Sequence, residues 1–125
     1  MTSEKFNALL CARQEKTWAV MVQKRNEYAT DKDVLHNFKR AATISEQTVV
    51  EAWYGMWLKH LVSLLDMIHS SEIPSQEWID EKIGDTINYL HLLEGLYEDA
   101  RDTSDEGCRC NDSQLTDGTA SMSDG

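Results

Sequence analysis

The scarcity of helix-breaking residues is the feature that most constrains how this chain folds. Its 125 residues include a single proline, Pro74, and only six glycines. Because proline and glycine mark most turns and end most helices, so few of them favour long helices over a fold of strands and tight turns. The sequence therefore predicts an all-α fold, and its length is enough for one domain.

Apolar residues that recur every three or four positions predict a compact bundle of four main helices, one of them short. The predicted helices cover residues 3–28, 34–42, 46–69 and 76–100. Each is preceded or opened by a side chain that can cap a helix N-terminus. These predicted caps are Ser3, Asp33, Ser45 and Ser75.

The inward faces of these helices can also be predicted from the spacing. In the second helix the inward residues are expected to be Leu35, Phe38, Ala41 and Ala42. In the third they are expected to be Val49, Val50, Trp53, Trp57, Leu61, Leu64, Leu65 and Ile68. The third helix is apolar on most sides, which indicates a central helix or one shared with a partner subunit. The middle of the first helix is rather polar, which favours a cleft along part of its inward face.

The composition changes after residue 98. Residues 99–125 contain seven acidic and two basic residues, and Ser, Thr, Gly and Asp dominate. So few apolar side chains cannot offset the entropy lost when a chain becomes ordered. We therefore predict a helical domain over 1–98 and an acidic, disordered tail over 99–125.

The charge of the chain limits its function. A net charge of −10 argues against general nucleic-acid binding, which needs a basic surface. It leaves open the binding of a single nucleotide whose phosphates are held through a divalent cation. The absence of long apolar stretches and of a secretory pattern, with three cysteines (Cys11, Cys108 and Cys110), favours a cytoplasmic protein with no membrane segment.

The strongest local pattern lies on the fourth helix, where Glu81 and Asp85 are four residues apart and share a face. Two like charges at this spacing repel each other and need compensation. One interpretation is a Mg²⁺ site, because Mg²⁺ prefers oxygen ligands together with phosphates and water. The other is a structural ion pair of Asp85 with Lys24, Lys59 or Lys82.

Polar residues also crowd the junction between the first two helices, from Lys24 to Asn37. Asp31 and Asp33 there are either metal ligands or an Asx-turn and a helix cap. Lys59 lies in the middle of the apolar third helix, next to His60, and would either contact a carboxylate or phosphate or extend to solvent at the domain edge. The aromatic residues of that helix would stack on a base or, as is more usual, form core or interface.

Residues 24–38 resemble a short all-α family of phage and prophage proteins called nucleotide modification associated domain one. Its members show a lysine, an Asp-Tyr pair, an Asp-x-Asp-like loop and an Asn. A helix with Trp and Lys follows, and the last helix carries an acidic residue, an Asp and a Tyr. The later positions correspond here to Trp53 or Trp57 with Lys59, and to Glu81, Asp85 and Tyr89. The resemblance spans residues 6–98 and implies a role in nucleotide handling.

Residues 81–90 also resemble the last metal-binding helix of the all-α nucleoside triphosphate pyrophosphatases. This resemblance implies Mg²⁺ bound by carboxylates on paired helices, cleavage between the α and β phosphates, and a homodimer or homotetramer. The superfamily usually supplies an E-x-x-E pair on an earlier helix. This chain offers only Glu27, or Glu51, with Asp31 and Asp33 nearby.

We therefore expect a phage-type protein that binds a (deoxy)nucleotide with Mg²⁺, as a pyrophosphohydrolase or as an accessory to nucleotide modification. The expected catalytic residues are Glu27 and Asp85. The expected metal ligands are Asp31, Asp33, Glu81 and Asp85. The expected substrate contacts are Lys24, Asn37, Lys59 and Tyr89. The alternative is a non-enzymatic acidic protein that covers a basic surface of a host protein, with the third helix as its contact face.

Overall fold

The computed structural model of the protein describes the backbone of residues 1–27 and 33–123, and the side chains of residues 1–26 and 33–104. The described chain forms four α-helices: α1 (Ser3–Glu27), α2 (His36–Ser45), α3 (Val49–Ile68) and α4 (Gln76–Ser123). The predicted all-α class, with four main helices of which one is short, is confirmed. The chain divides into two units, Met1–Leu93 and Glu94–Gly125. Within the described residues, every helix is too short or too polar to cross a membrane.

Helix α1 starts at Ser3 as predicted, but its capping residue lies one position earlier than expected. The backbone N–H of Lys5 donates a hydrogen bond of 3.2 Å to the Thr2 hydroxyl, so Thr2 caps this helix. Ser3 is instead its first helical residue. The same capping chemistry was expected, but Thr2 is the neighbour whose hydroxyl meets the free N–H groups of the first turn.

The short helix α2 starts later and ends later than predicted. Asp33 does not occupy the N-cap position, which belongs to Leu35. The Asp33 carboxylate instead accepts a hydrogen bond from the Leu35 N–H at 3.0 Å and so fixes the turn before the helix. At the other end, Glu46 adopts left-handed backbone angles (φ 54°, ψ 45°), and its N–H donates to the carbonyl of Ala42. This conformation stops the helix after Ser45.

The predicted cap of α3 was wrong. Ser45 belongs to α2, and Thr48 is the N-cap of α3. The Thr48 hydroxyl accepts from the Glu51 N–H at 3.1 Å, and the Glu51 carboxylate accepts from the Thr48 N–H at 3.2 Å. This reciprocal pair is a capping box, which Ser45 cannot form because Thr48 stands three residues after it instead of Glu or Gln.

The predicted cap of α4 was correct, and its predicted end was not. The Ser75 hydroxyl accepts from the Trp78 N–H at 3.1 Å. The helix continues past residue 100 to Ser123, because no proline follows Pro74 to stop it. The predicted tail, residues 99–125, lies mostly beyond the described side chains, so the division at residue 98 stays a prediction.

The core is built around aromatic side chains of α2, α3 and α4, which we call the aromatic cluster: Phe38, Trp53, Trp57 and Tyr89. Trp53 is only 4% exposed, and its indole N–H donates to the carbonyl of Tyr89 at 2.8 Å. The Trp53 and Trp57 rings stack with centroids 5.3 Å apart, and Phe38 meets Tyr89 edge-on at 6.3 Å. The predicted inward positions Leu35, Phe38, Ala42 and Trp53 are confirmed as buried.

Two of the predicted inward positions of α3, Leu65 and Ile68, were wrong. Ile68 was expected inside, but it is 60% exposed, and its neighbour Met67 is buried at 7%. Leu65 is likewise exposed. Several apolar side chains of α1 are exposed to solvent: Phe6, Leu9, Leu10 and Val20. Among the described side chains of α1, the buried one is Thr17. The polar middle of α1 therefore faces a cleft.

Candidate functional site

A cleft of about 440 Å³ lies between α1 and α4. We call it the α1–α4 cleft. Its lining is Arg13, Lys16, Thr17, Ala19, Val20, Asp80, Glu81, Gly84, Asp85 and Asn88. Ligand sites are typically concavities of about 300–1,000 Å³ with a few well-placed polar groups. This cleft has a suitable size, and it is unusually rich in charged side chains.

Asp80 holds one wall of the cleft to the other. Its carboxylate accepts from the Arg13 guanidinium at 2.5 Å, from the Lys16 ammonium at 3.0 Å and from the Gln76 amide at 2.9 Å. Hydrogen bonds from Gln76, Lys16 and Arg13, in that order, lower the pKa of Asp80 from 3.8 to about 2. Asp80 is therefore fully engaged by its own chain and tethers α1 to α4.

This pKa shift predicts how the Asp80 contacts respond to acid. Because the pKa of Asp80 is about 2 in the folded chain and 3.8 in its ordinary state, its contribution to stability is complete above pH 3.8 and is lost as the pH falls towards 2. In urea unfolding followed by circular dichroism, Asp80→Asn is expected to be less stable than the wild type at pH 6. The difference should shrink between pH 4 and pH 2. A difference that stays constant over this range would mean that the carboxylate charge does not matter.

The two carboxylates singled out on α4 both line the cleft. Glu81 is largely exposed and pairs with the adjacent Lys82 at 3.1 Å. Asp85 is half-buried, and its carboxylate oxygen lies 3.5 Å from Nδ1 of His60 on α3. The partner of Asp85 is thus His60, rather than one of the three lysines that the sequence suggested. Glu81 and Asp85 share a face of α4 at the cleft.

The pKa of His60 lies below its usual value. Burial is the main cause that lowers this pKa, Asp85 acts in the opposite direction, and the charges of Lys59, Lys24 and Lys82 lower it further. The imidazole also packs on Tyr89, with ring centroids 4.4 Å apart. Burial therefore favours the uncharged form of the ring that the Asp85 carboxylate faces.

Four of the predicted site residues come together around His60. Lys24 of α1 and Lys59 of α3 act on its charge, Asp85 contacts it, and Tyr89 packs against it. Burial, and after it the charge of Asp85, raises the pKa of Tyr89, so its phenol keeps its proton. Residues of α3 and α4 thus meet at Asp85, and the charge of Lys24 on α1 acts on the same place.

Other predicted residues lie elsewhere or outside the described part of the chain. Asp33 pairs with Lys39 at 2.6 Å, and this bond is the main cause that lowers its pKa. Asn37 is exposed on α2. The side chain of Glu27 and the whole of Asp31 lie outside the described residues. Among the described residues, no three His, Cys, Asp or Glu side chains are grouped so as to hold a metal ion.

Sequence reasoning missed Arg13, Lys16, Asp80 and His60 as members of this region. Arg13 and Thr17 interrupt the apolar spacing of the first helix, which indicates a polar inward face but not its partners. The Asp80 and His60 contacts join residues more than 20 positions apart, and only the packing of the helices brings them together.

Comparisons of this chain with protein-family models, with curated proteins and with solved structures find no match. The geometry of the cleft is therefore the basis for assigning a function.

Proposed function

We propose that the protein binds a (deoxy)nucleotide together with Mg²⁺ in the α1–α4 cleft. The observation that carries this proposal is the presence of both kinds of charge in one cleft. Glu81 and Asp85 line it from α4, and Arg13 and Lys16 line it from α1. The charges of Lys59, Lys24 and Lys82 also act on His60, the partner of Asp85. Nucleotide phosphates are held by just this combination of cationic side chains and a carboxylate-bound divalent cation.

The donor set suits a Mg²⁺ ion that is shared with the ligand. Mg²⁺ is usually bound through one or two carboxylates, with phosphates and water completing its octahedron. Glu81 and Asp85 supply that number of carboxylates, whereas Asp80 is already occupied by three donors. When bound, Mg²⁺ supplies the positive charge that neutralises the phosphates and polarises their oxygens.

Asp85 is the better of the two ligands because its partner is a histidine, while the partner of Glu81 is a lysine. Burial lowers the pKa of this histidine, which favours its uncharged form. An anionic oxygen in a half-buried place, facing an uncharged ring, gains from a cation.

The proposal is tested by calorimetry with Mg²⁺ and a panel of deoxynucleoside triphosphates. We expect the wild type to bind, and binding to disappear when Mg²⁺ is replaced by a chelator. Asp85→Asn is expected to weaken binding by about 10- to 100-fold, since it removes a charge-assisted contact worth about 1.5–3 kcal/mol. Asp66→Asn is the matched control, because Asp66 is exposed on α3 and lies outside the lining of the cleft. It removes the same charge and should bind like the wild type.

Two results would contradict the proposal. One is the absence of binding by every nucleotide in the presence of Mg²⁺. The other is an equal loss in Asp85→Asn and Asp66→Asn, which would reduce the effect to net charge.

A second candidate function is that of an acidic interaction protein, and an exposed stripe on α3 favours it. Tyr54, Leu58, Val62, Leu65 and Ile68 recur at helical spacing, and all are exposed. A contiguous apolar stripe on an acidic surface is typical of a contact with another protein, whether a host protein or a second copy of this chain. This function remains if the calorimetry shows no nucleotide binding.

A further inference from the structure

Two buried polar atoms in the α1–α4 cleft have no hydrogen-bond partner. They are Oγ1 of Thr17, a residue that is 6% exposed, and Oδ1 of Asn88, a residue that is 3% exposed. Both residues line the cleft, Thr17 from α1 and Asn88 from α4. Among the described residues one other buried side-chain atom is unpartnered, the indole nitrogen of Trp57 in the aromatic cluster. Two of these three atoms thus belong to a single cavity.

The hydroxyl of Thr17 departs from what four other hydroxyls within helices do. Thr43, Thr86, Thr103 and Ser104 each donate to the backbone carbonyl four residues earlier, at 2.8–3.0 Å. Thr17 has the same opportunity in α1, yet its hydroxyl makes no such bond. A buried hydroxyl without a partner is costly, so its place in the cleft indicates a partner supplied from outside the chain.

Gly84 is a second, independent observation at the same place. It lies in α4 one turn before Asn88 and lines the cleft. A Cβ atom added there would meet only Arg13 Nη1, at 3.7 Å, which is an ordinary contact. Packing within the chain therefore does not require glycine at this helical position, where alanine would favour the helix more. A glycine leaves room for a flat group to approach the helix backbone closely.

We propose that Thr17, Gly84 and Asn88 form the base-reading part of the cleft and select a nucleobase that carries an exocyclic amino group. This inference rests on the proposed function and specifies its ligand. An amino group offers two N–H donors, which is what two unpartnered buried oxygens require. Asn is well suited to such a base, because an amide pairs with an amino group and the adjacent ring nitrogen in a bidentate way. The base lies in the cleft between Thr17 and Asn88, beside Gly84, and the phosphates extend towards Asp85.

The test is calorimetry in the presence of Mg²⁺ with ligands that differ only in the amino group. One pair is dATP and its analogue without the 6-amino group, and the other is dCTP and its analogue without the 4-amino group. We expect the wild type to bind each amino-bearing nucleotide at least about tenfold more tightly than its analogue. A site built to hydrogen-bond a group discriminates strongly against ligands that lack it.

Thr17→Val and Asn88→Leu are expected to remove this preference, leaving less than about a threefold difference. Both variants should melt at or above the wild-type temperature, because each replaces an unpartnered polar atom with an apolar one. Thr86→Val is the matched control for the loss of a hydroxyl. Its hydroxyl bonds within α4 and lies outside the lining of the cleft, so the preference should persist.

Gly84→Ala is expected to weaken the binding of every nucleotide by about tenfold, because the added methyl narrows the space for the base. Its melting temperature should rise, because alanine favours the helix more than glycine does. Gly55→Ala on α3 is the control, since a Cβ atom there meets nothing within 4 Å. It should gain stability and bind normally. Equal binding of nucleotides and their amino-free analogues by the wild type would overturn this inference and leave the proposed function intact. No binding of any nucleotide would overturn both.

Discussion

Replacement of Trp53 by alanine is expected to lower the free energy of unfolding by about 3–5 kcal/mol, the range typical for truncating a buried aromatic residue. Trp53 is almost completely buried, stacks on Trp57 and contacts Tyr89. It also donates the hydrogen bond that links α3 to the α4 backbone. Its removal leaves a cavity at the place where α2, α3 and α4 meet. Urea unfolding followed by circular dichroism measures this loss.

Trp53→Phe separates packing from hydrogen bonding at the same position. Phenylalanine keeps a ring in the cluster but cannot donate to the carbonyl of Tyr89, which keeps only its bond within α4. We expect a loss of about 0.5–1.5 kcal/mol, the net contribution of one hydrogen bond. If Trp53→Ala costs less than the phenylalanine variant, or less than about 1 kcal/mol, the aromatic cluster is not the core of the domain.

The second large effect is expected at Met67. Met67→Ala should lower the free energy of unfolding by about 2–5 kcal/mol, because the side chain is buried and its truncation leaves a cavity. Ile68→Ala is the matched control one residue later, where the side chain is exposed. It should change stability by less than about 1 kcal/mol. Both variants are measured by urea unfolding at the same pH.

The order of these two effects tests the rotation of α3. An α-helix turns by about 100° per residue, so adjacent side chains point to different sides. If Ile68→Ala is the more destabilising substitution in the monomer, the sequence-based orientation of this helix was right and the observed one is wrong.

The helix ends show how much of the fold can be predicted from local sequence. Ser75 was recognised because it follows a proline-containing loop and precedes a clear apolar stripe. Thr48 was not recognised, although Glu51 stands at the position that completes a capping box. A serine followed by one acidic residue, as at Ser45, is a weaker pattern than a threonine and a glutamate three residues apart. The true start of α3 is therefore predictable from the local sequence.

The orientation of α3 could not be decided from the sequence. Apolar side chains occur on most sides of this helix, so its spacing fits more than one inward face. The prediction for Trp53 was correct because this residue lies inside in either orientation of the helix. Ile68 was predicted to lie inside but is exposed, and the buried residue is its neighbour Met67. The position of α4 relative to α3 determines the outcome, and that contact is not encoded in the spacing of α3 alone.

The candidate site was predictable only where one helix carries its residues. Glu81 and Asp85 share a face of α4 because of their spacing, and the structure places both at the cleft. The partner of Asp85 comes from α3 and the facing wall of the cleft from α1, so the contact with His60 and the polar contribution of Thr17 required the packed structure. Asp33 illustrates the opposite case, since its partner Lys39 lies six residues away and satisfies it locally.

Helix α1 is joined to the rest of its unit by polar contacts more than by apolar packing. Its described part buries no large apolar side chain, and its links to α4 include the Asp80 contacts. Because hydrophobic stabilisation grows with the apolar area removed from water, moving α1 outward sacrifices little of it. Segments with few apolar contacts open locally without unfolding of the whole chain. We therefore expect α1 to open locally while Phe38, Trp53 and Tyr89 stay packed, so that opening of the α1–α4 cleft and unfolding of the core are separate events.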